Sequence, residues 1–232
     1  MVTQQTNPSS DIQGIFNRIA PVYDSLNQWL SLGQHQIWKL ISVKWSQPEL
    51  GDTALDICCG SGDLTQMLAQ RVGDKGKVYG LDFSAEQLAV AKKRNSLQAI
   101  EWIEGDALNL PFQSRTFDCL TMSYGLRNLT DIPKALMEVY RVLKQGAKAA
   151  ILDFHRPDDP MMSLFQDLYL NHLVVPVAFA YGFKEDYAYI GQSLKKFPNG
   201  REQVKLGYQA GFSHVVHYPI AGGMMGVLVL TK

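Results

Sequence analysis

The 232-residue chain carries 22 Lys+Arg against 22 Asp+Glu, so it has no basic footprint for phosphate backbones and no nucleic-acid partner is expected. Hydrophobic residues make up 46% of it, enough for one α/β domain with a full core. Cys58, Cys59 and Cys119 have no zinc spacing, so no metal is expected and a reducing compartment is the default.

Residues 1–10 are polar and uncharged, unlike a signal or transit peptide, and read as a disordered tail. Residues 11–232 read as a single domain. It divides into N-terminal helices over 11–50, a cofactor-binding core over 51–157, a helical lid over 158–200, and a closing helix with strands over 201–232. Ile12, Ile15, Phe16 and Ile19 recur at helical spacing up to Pro21. A second helical pattern runs through Trp29, Leu30, Ile37, Trp38, Leu40, Ile41 and Trp45, where Trp38 and Trp45 read as one packed face. Tyr23, Asp24 and Asn27 cluster at the turn between, placed to cap the second helix or to close over a ligand.

Ala54, Leu55 and Ile57 form a buried strand leading into Gly60-Ser61-Gly62 and then a helix through Leu64, Met67 and Leu68. Cys58 and Cys59 read as small core residues on opposite faces of that strand. Val78–Asp82 is the second strand. Asp82 sits at its tip, about 20 residues past the glycines, where a doubly wound fold places a ribose-binding carboxylate. The turn is Gly-x-Gly-x-x-Thr. A third glycine and a helix N-terminus serve the pyrophosphate of a dinucleotide. S-adenosylmethionine (SAM) has a ribose and a sulfonium but no phosphate, so the departure favours SAM over NAD.

Ser84 caps the next helix, with Glu86 in its first turn. Ile100–Glu104 is a third strand, and Asp106 after it either meets an adenine amino group or closes a turn. Phe117–Ser123 is the fourth strand, followed by Arg127 and Asn128 side by side in a loop. A helix runs from Asp131 through Leu143 and is stopped by Gly146. Ala147–Phe154 is the fifth strand, ended by His155-Arg156-Pro157. Met161–Ile190 is dense in apolar and aromatic groups, as suits a lid packed on the core and a cover over a hydrophobic substrate. Tyr187, Tyr189, Ile190 and Ser193 lead into a helix ending near Phe197. Arg201–Ala210 is helical, Gly211 breaks it, and Phe212–Tyr218 and Met224–Leu230 form a hairpin. No apolar run approaches the ~20 residues that span a bilayer, so a cytoplasmic protein is expected, with at most peripheral contact on a membrane. The fold class expected is α/β: a class I SAM-dependent methyltransferase with a doubly wound, Rossmann-like, mostly parallel seven-stranded sheet, a C-terminal antiparallel hairpin and a helical lid.

Several stretches carry a more specific signal: Phe16–Asp24, Leu55–Thr65, Leu110–Phe112, Phe117–Asn128, Arg141–Lys144 and Tyr187–Phe197. Gly125-Leu126-Arg127-Asn128 followed by Thr130-Asp131 is the most telling, since generic SAM enzymes lack it. Through these the chain resembles the ubiquinone/menaquinone biosynthesis C-methyltransferases over nearly its whole length. The resemblance implies SAM binding at Ser61, Asp63, Asp82, Asp106, Ala107 and Ser123, to which Gly60 and Gly62 of the turn and Phe83 beside Asp82 are added. Cys58-Cys59 stand where the family usually has alanine or glycine. Gly222–Lys232 lacks the histidine of the ubiquinone-linked bacterial members and looks like the branch that methylates a phytyl-naphthoquinone.

The resemblance implies methyl transfer from a sulfonium to a ring carbon of a prenylated naphthoquinol. Carbon is a poor nucleophile, so the acceptor must be the reduced quinol, supplied by a quinone reductase upstream. Arg127 is expected to stabilise a phenolate and Asn128 to orient a hydroxyl or a water. His155 and Tyr23 are candidates for the base. Against these stand plainer roles: Arg127 pairing with Asp24 or Asp153, and His155 exposed in a loop. A benzoquinol or another lipophilic acceptor, or a scaffold that binds SAM without catalysis, are the alternatives in function.

Overall fold

The computed structural model describes residues 33–94, 100–157, 159–169 and 193–232, with Gly14, Asn17, Arg18, Gln28, Ser31, His172, Val174, Pro176, Phe179 and Gly191 as single positions. The polar tail, the turn with Tyr23, Asp24 and Asn27, and most of 170–190, including Tyr187, Tyr189 and Ile190, lie outside the described residues. In chain order the elements are α1 (Gln34–Ser46), β1 (Thr53–Ile57), α2 (Asp63–Val72), β2 (Lys77–Asp82), α3 (Ala85–Arg94), β3 (Ile100–Glu104) and β4 (Phe117–Ser123). They continue with α4 (Ile132–Val142), β5 (Leu143–Phe154), α5 (Pro160–Tyr169), α6 (Gly200–Gln209), β6 (His214–Ile220) and β7 (Met225–Thr231).

One seven-stranded sheet has the order β3-β2-β1-β4-β5-β7-β6. β1 to β5 run parallel, and β7 is antiparallel to both β5 and β6. The chain winds outward from β1 to β3, then restarts at β4 on the other side. That reversal opens a crevice at the carboxyl ends of β1 and β4, where such sheets bind ligands.

Alternation along the strands splits the core. Leu55 and Ile57 face one side with Phe117, Leu120, Met122 and Leu136; Ala54 faces the other with Val43, Leu64, Leu68 and Val78. Leu55, Ile57, Leu68, Leu120 and Leu136 are wholly buried, and each such side chain stabilises the fold by about 1.5–3 kcal/mol. Trp38 and Trp45 pack on Ala150, Leu152, Met225 and Val227.

Three expectations need correction. The fourth helix stops at Val142, and Gly146 does not end it. Leu143 is already extended and pairs with Phe117 in the sheet. Gly146, at φ 78, lies in the bulge before Lys148 pairs with Cys119, so β5 starts four residues early. Cys58 and Cys59 are not on the strand: β1 ends at Ile57, and Cys58 takes a left-handed turn at φ 55. The third concerns α1. It buries His35, Lys39, Ser42, Val43 and Ser46, while Ile37 and Leu40 are exposed. Polar groups face inward because they have work there: Ser42 Oγ donates to the Ala150 carbonyl at 3.2 Å, and Lys39 meets an acid.

α5 is inverted in the same sense. Its buried residue is Gln166, whose amide donates to the carbonyls of His155 and Met224. Met161, Leu164, Phe165 and Leu168 share its outer face and are exposed. Among the described residues, no helix is long and apolar enough to cross a membrane.

Candidate active site

A cleft enclosing about 970 Å³ of space, its open mouth included, lies over the carboxyl ends of β1 to β4. β1 and β4 leave the sheet alike, each through a left-handed residue, Cys58 at φ 55 and Tyr124 at φ 57. The two turns abut. A Cβ on Gly125 would stand 2.7 Å from the Cys58 Cβ and Sγ, so only glycine lets them close. Gly60 and Gly62 turn the chain at φ 54 and 89 to start α2.

The structure places Gly60, Ser61, Asp63, Asp82, Phe83, Asp106, Ala107, Ser123 and Asn128 on the wall of this cleft, and Gly62 in the turn behind it. Asp82 accepts the Gly60 amide at 2.8 Å and the Ser84 amide at 2.9 Å. It thereby ties the glycine turn to the tip of β2. Burial raises its pKa, opposed by these amides and that of Phe83. Asp106 closes a turn by accepting the Leu108 amide at 2.8 Å, as one of its two sequence readings has it, and it also lines the cleft. Ser84 Oγ accepts the Gln87 backbone amide and donates to Asn17 Oδ1 at 2.7 Å.

Sequence reasoning did not single out Lys39, Asp56, Tyr124 or Gln87. Lys39 reaches the cleft from α1 and pairs with Asp63 at 2.8 Å, the two side chains 6% and 13% exposed. Gln36 also donates to Asp63, and Arg94 lies 3.4 Å from it. Burial pushes the Asp63 carboxyl up, but Lys39, Arg94 and Gln36 together outweigh that and hold it below the usual range. The one signal for Lys39 was its spacing: with His35, Ser42 and Ser46 it makes a polar stripe on a helix.

Asp56, wholly buried beneath the cleft, accepts the hydroxyls of Thr65 at 2.7 Å and Thr121 at 2.8 Å. Burial lifts its pKa to about 7, against the two hydroxyls and the field of Lys39. With the folded pKa above the unfolded one, its contribution to stability is complete below about pH 4 and is lost as pH climbs to about 7. We expect the urea midpoint to fall between about pH 4 and pH 7, and Asp56→Asn to remove that part of the slope, worth a few kcal/mol. An identical slope in the variant would take Asp56 out of the account.

Asn128 has its amide nitrogen on the Tyr124 carbonyl at 3.0 Å, while its buried Oδ1 has no hydrogen-bond partner among the described residues. An acceptor held this way at a cleft wall is set for a ligand donor. The charges fit one kind of ligand. Asp63, Asp82 and Asp106 stand against Lys39 alone among the described lining residues. They would repel a pyrophosphate and suit a group bearing a sulfonium, an ammonium and a ribose.

The model of the ubiE/COQ5 methyltransferase family matches residues 3–232. The chain belongs to the ubiE/COQ5 methyltransferase family. It is a SAM-dependent methyltransferase. It is 61% identical to a protein of Nostoc punctiforme over 97% of this chain and 99% of the relative. It is 52% identical to one of Synechocystis over 100% and 98%, and 51% to a chloroplastic one of Arabidopsis thaliana over 97% and 88%. All three are named 2-phytyl-1,4-naphthoquinone methyltransferases. Among solved structures, a SAM-dependent methyltransferase from Aquifex aeolicus matches with TM-score 0.64 at 19% identity, over 90% of this chain and 97% of that one. One from Thermotoga maritima gives 0.66 at 22%, over 94% and 99%. At such identities the likeness shows the fold alone: the class I arrangement with its C-terminal antiparallel hairpin.

In this family member Arg127 is off the cleft wall. Its Nη1 pairs with Asp153 at 2.7 Å, its backbone amide donates to the same carboxylate at 3.1 Å, and its Nε reaches Ser193 Oγ at 3.3 Å. The guanidinium also lies 4.9 Å from the Phe154 ring. The expectation that it faces a phenolate is therefore corrected: its donors are turned to Asp153, at the end of β5. His155 needs two corrections. It is buried, not exposed in a loop, and it does not line the cleft. Its ring centroid is 4.9 Å from that of His217, whose pKa falls to about 4 through burial and the neighbouring His155. The His217 ring fits between Gly200 and Gly226, where any Cβ would collide with it. Tyr23 lies outside the described residues.

Proposed function

We propose that this methyltransferase methylates a ring carbon of a 2-phytyl-1,4-naphthoquinol, giving phylloquinol. The observation that carries this reading is the set of relatives, 51–61% identical over nearly the whole chain, that bear this substrate in their names. SAM, when bound, supplies an electrophilic methyl group. Asp82 receives the ribose hydroxyls, and the glycine turn it holds admits the cofactor close to the backbone. The free Oδ1 of Asn128 accepts a hydrogen bond from a quinol hydroxyl and orients the ring. Arg127 is a positioning residue: its pair with Asp153 fixes the short turn Leu126–Asn128 against β5.

The test is methyl transfer to 2-phytyl-1,4-naphthoquinone with and without a strong reductant. We expect transfer only with the reductant, because the quinol carbon alone is nucleophilic enough; equal rates with rigorously oxidised acceptor would sink the reading. A demethylated benzoquinol as a faster acceptor would move the assignment to the ubiquinone side of the family.

The exposed apolar stripe of α5, with Met161, Leu164, Phe165 and Leu168, supports peripheral contact with a bilayer that stores the long-tailed acceptor. Phe165→Glu is expected to slow turnover of acceptor embedded in vesicles and to leave a short-tailed, dissolved acceptor unaffected. Equal slowing of both would end the membrane reading.

A further inference from the structure

We infer that Lys39 is the cation that receives the α-carboxylate of the cofactor's amino-acid arm, with Asp63 holding its ammonium at the cleft wall. The inference rests on SAM being the cofactor. SAM ends in a zwitterion, and a carboxylate withdrawn from water needs a charged donor. Among the described residues that line the cleft, Lys39 carries the sole positive charge. Asp63, Asp82 and Asp106 would each repel the carboxylate.

Position argues the same way. Asp82 and Asp106 stand at the ends of β2 and β3, on one flank of the crevice, where the ribose and the base belong. Lys39 enters from α1 beside Asp63, the first residue of α2, next to the glycine turn. A ligand with its ribose at Asp82 extends its other arm along that turn. Unused bonding capacity is the third observation. Lys39 is 5% exposed, and its bond to Asp63 is the one hydrogen bond described for its three N–H donors. A buried ammonium with idle donors is costly unless something fills them. Asp63 is itself saturated on this side by Lys39 and Gln36, so it acts through Lys39.

The experiment is titration calorimetry of the apoprotein with three ligands: S-adenosylhomocysteine, its decarboxylated analogue, and 5′-methylthioadenosine, which lacks the whole arm. In the wild-type chain the carboxylate should tighten binding by about 10- to 100-fold. Lys39→Met should erase that difference and leave 5′-methylthioadenosine within about threefold of wild type. Lys39→Gln, which can keep a hydrogen bond to Asp63, should do the same and stands in if Lys39→Met does not fold. Persistence of the difference in a folded variant overturns the inference. So does equal weakening of all three ligands, which would make Lys39 a support for the glycine turn. Failure of every adenosyl ligand to bind the wild-type chain would instead overturn SAM as the cofactor.

Discussion

Arg127→Ala should destabilise the protein by about 3–5 kcal/mol, because it leaves the Asp153 carboxylate buried without its cation. The two side chains are 6% and 5% exposed, so water cannot take the place of the guanidinium. For a domain of this size the melting temperature should drop by roughly 6–20 °C. Arg127→Lys keeps the charge but not the planar fork that spans Asp153 and Ser193, and should fall between. If the pair is what matters, Arg127→Met combined with Asp153→Leu should recover much of the loss, as replacing both members of a buried pair often does. The opposite pattern, an unchanged melting temperature with a kcat lowered 10²-fold or more, would return Arg127 to the phenolate.

Asp82→Ala should weaken binding of S-adenosylhomocysteine by about 10²-fold. Ribose hydroxyls lose a charged acceptor in a buried site, and hydrogen bonds to charged groups contribute about 1.5–3 kcal/mol. The amides of Gly60 and Ser84 lose theirs as well, so the glycine turn loosens and the apoprotein should melt earlier. Asp82→Asn keeps one acceptor oxygen and should lose less on both counts. Calorimetry that finds the same affinity in Asp82→Ala as in wild type would remove Asp82 from the site.

Much of the fold was legible because its signals are local. β3 and β4 have the ends read from the sequence, Ile100–Glu104 and Phe117–Ser123: Gly105-Asp106 follows the first, and the polar stretch Gln113–Thr116 precedes the second. The C-terminal hairpin and the Ser84 cap were legible too, although the hairpin's first strand runs His214–Ile220 and not Phe212–Tyr218. The end of α4 was not: Leu143 follows Val139 at helical spacing, yet the sheet claims it beside Phe117. Tertiary pairing overrode periodicity there. In α1 the more apolar face reads as the buried one, but the partners of Ser42 and Lys39 are 108 and 24 residues away and leave no local mark. Arg127 and His155 were found as residues, but their surroundings depend on β5 and β6, which only the folded chain brings near. The glycine turn, Asp82, Asp106 and Asn128 were legible as residues from motif and resemblance; that Asn128 Oδ1 is left open could be read only from the fold.

The gap between Gly200 and Gly226 that accommodates the His217 ring acts as a key for strand alignment. Alternation of inward and outward residues rejects a slip of one position between β6 and β7, but a slip of two restores it and goes unpunished. In the observed alignment Gly226 faces Pro219, and the His217 imidazole leans across its bare backbone. Shifted by two, that imidazole would meet the side chain of Leu228 or Met224, and the cleft in the backbone would be left to Val215 or Pro219. β7 also sets Gly226 opposite Asp153. A misaligned hairpin would therefore be felt at the carboxylate that holds Arg127, so the last strands of the chain proofread the geometry of a turn nearly one hundred residues earlier.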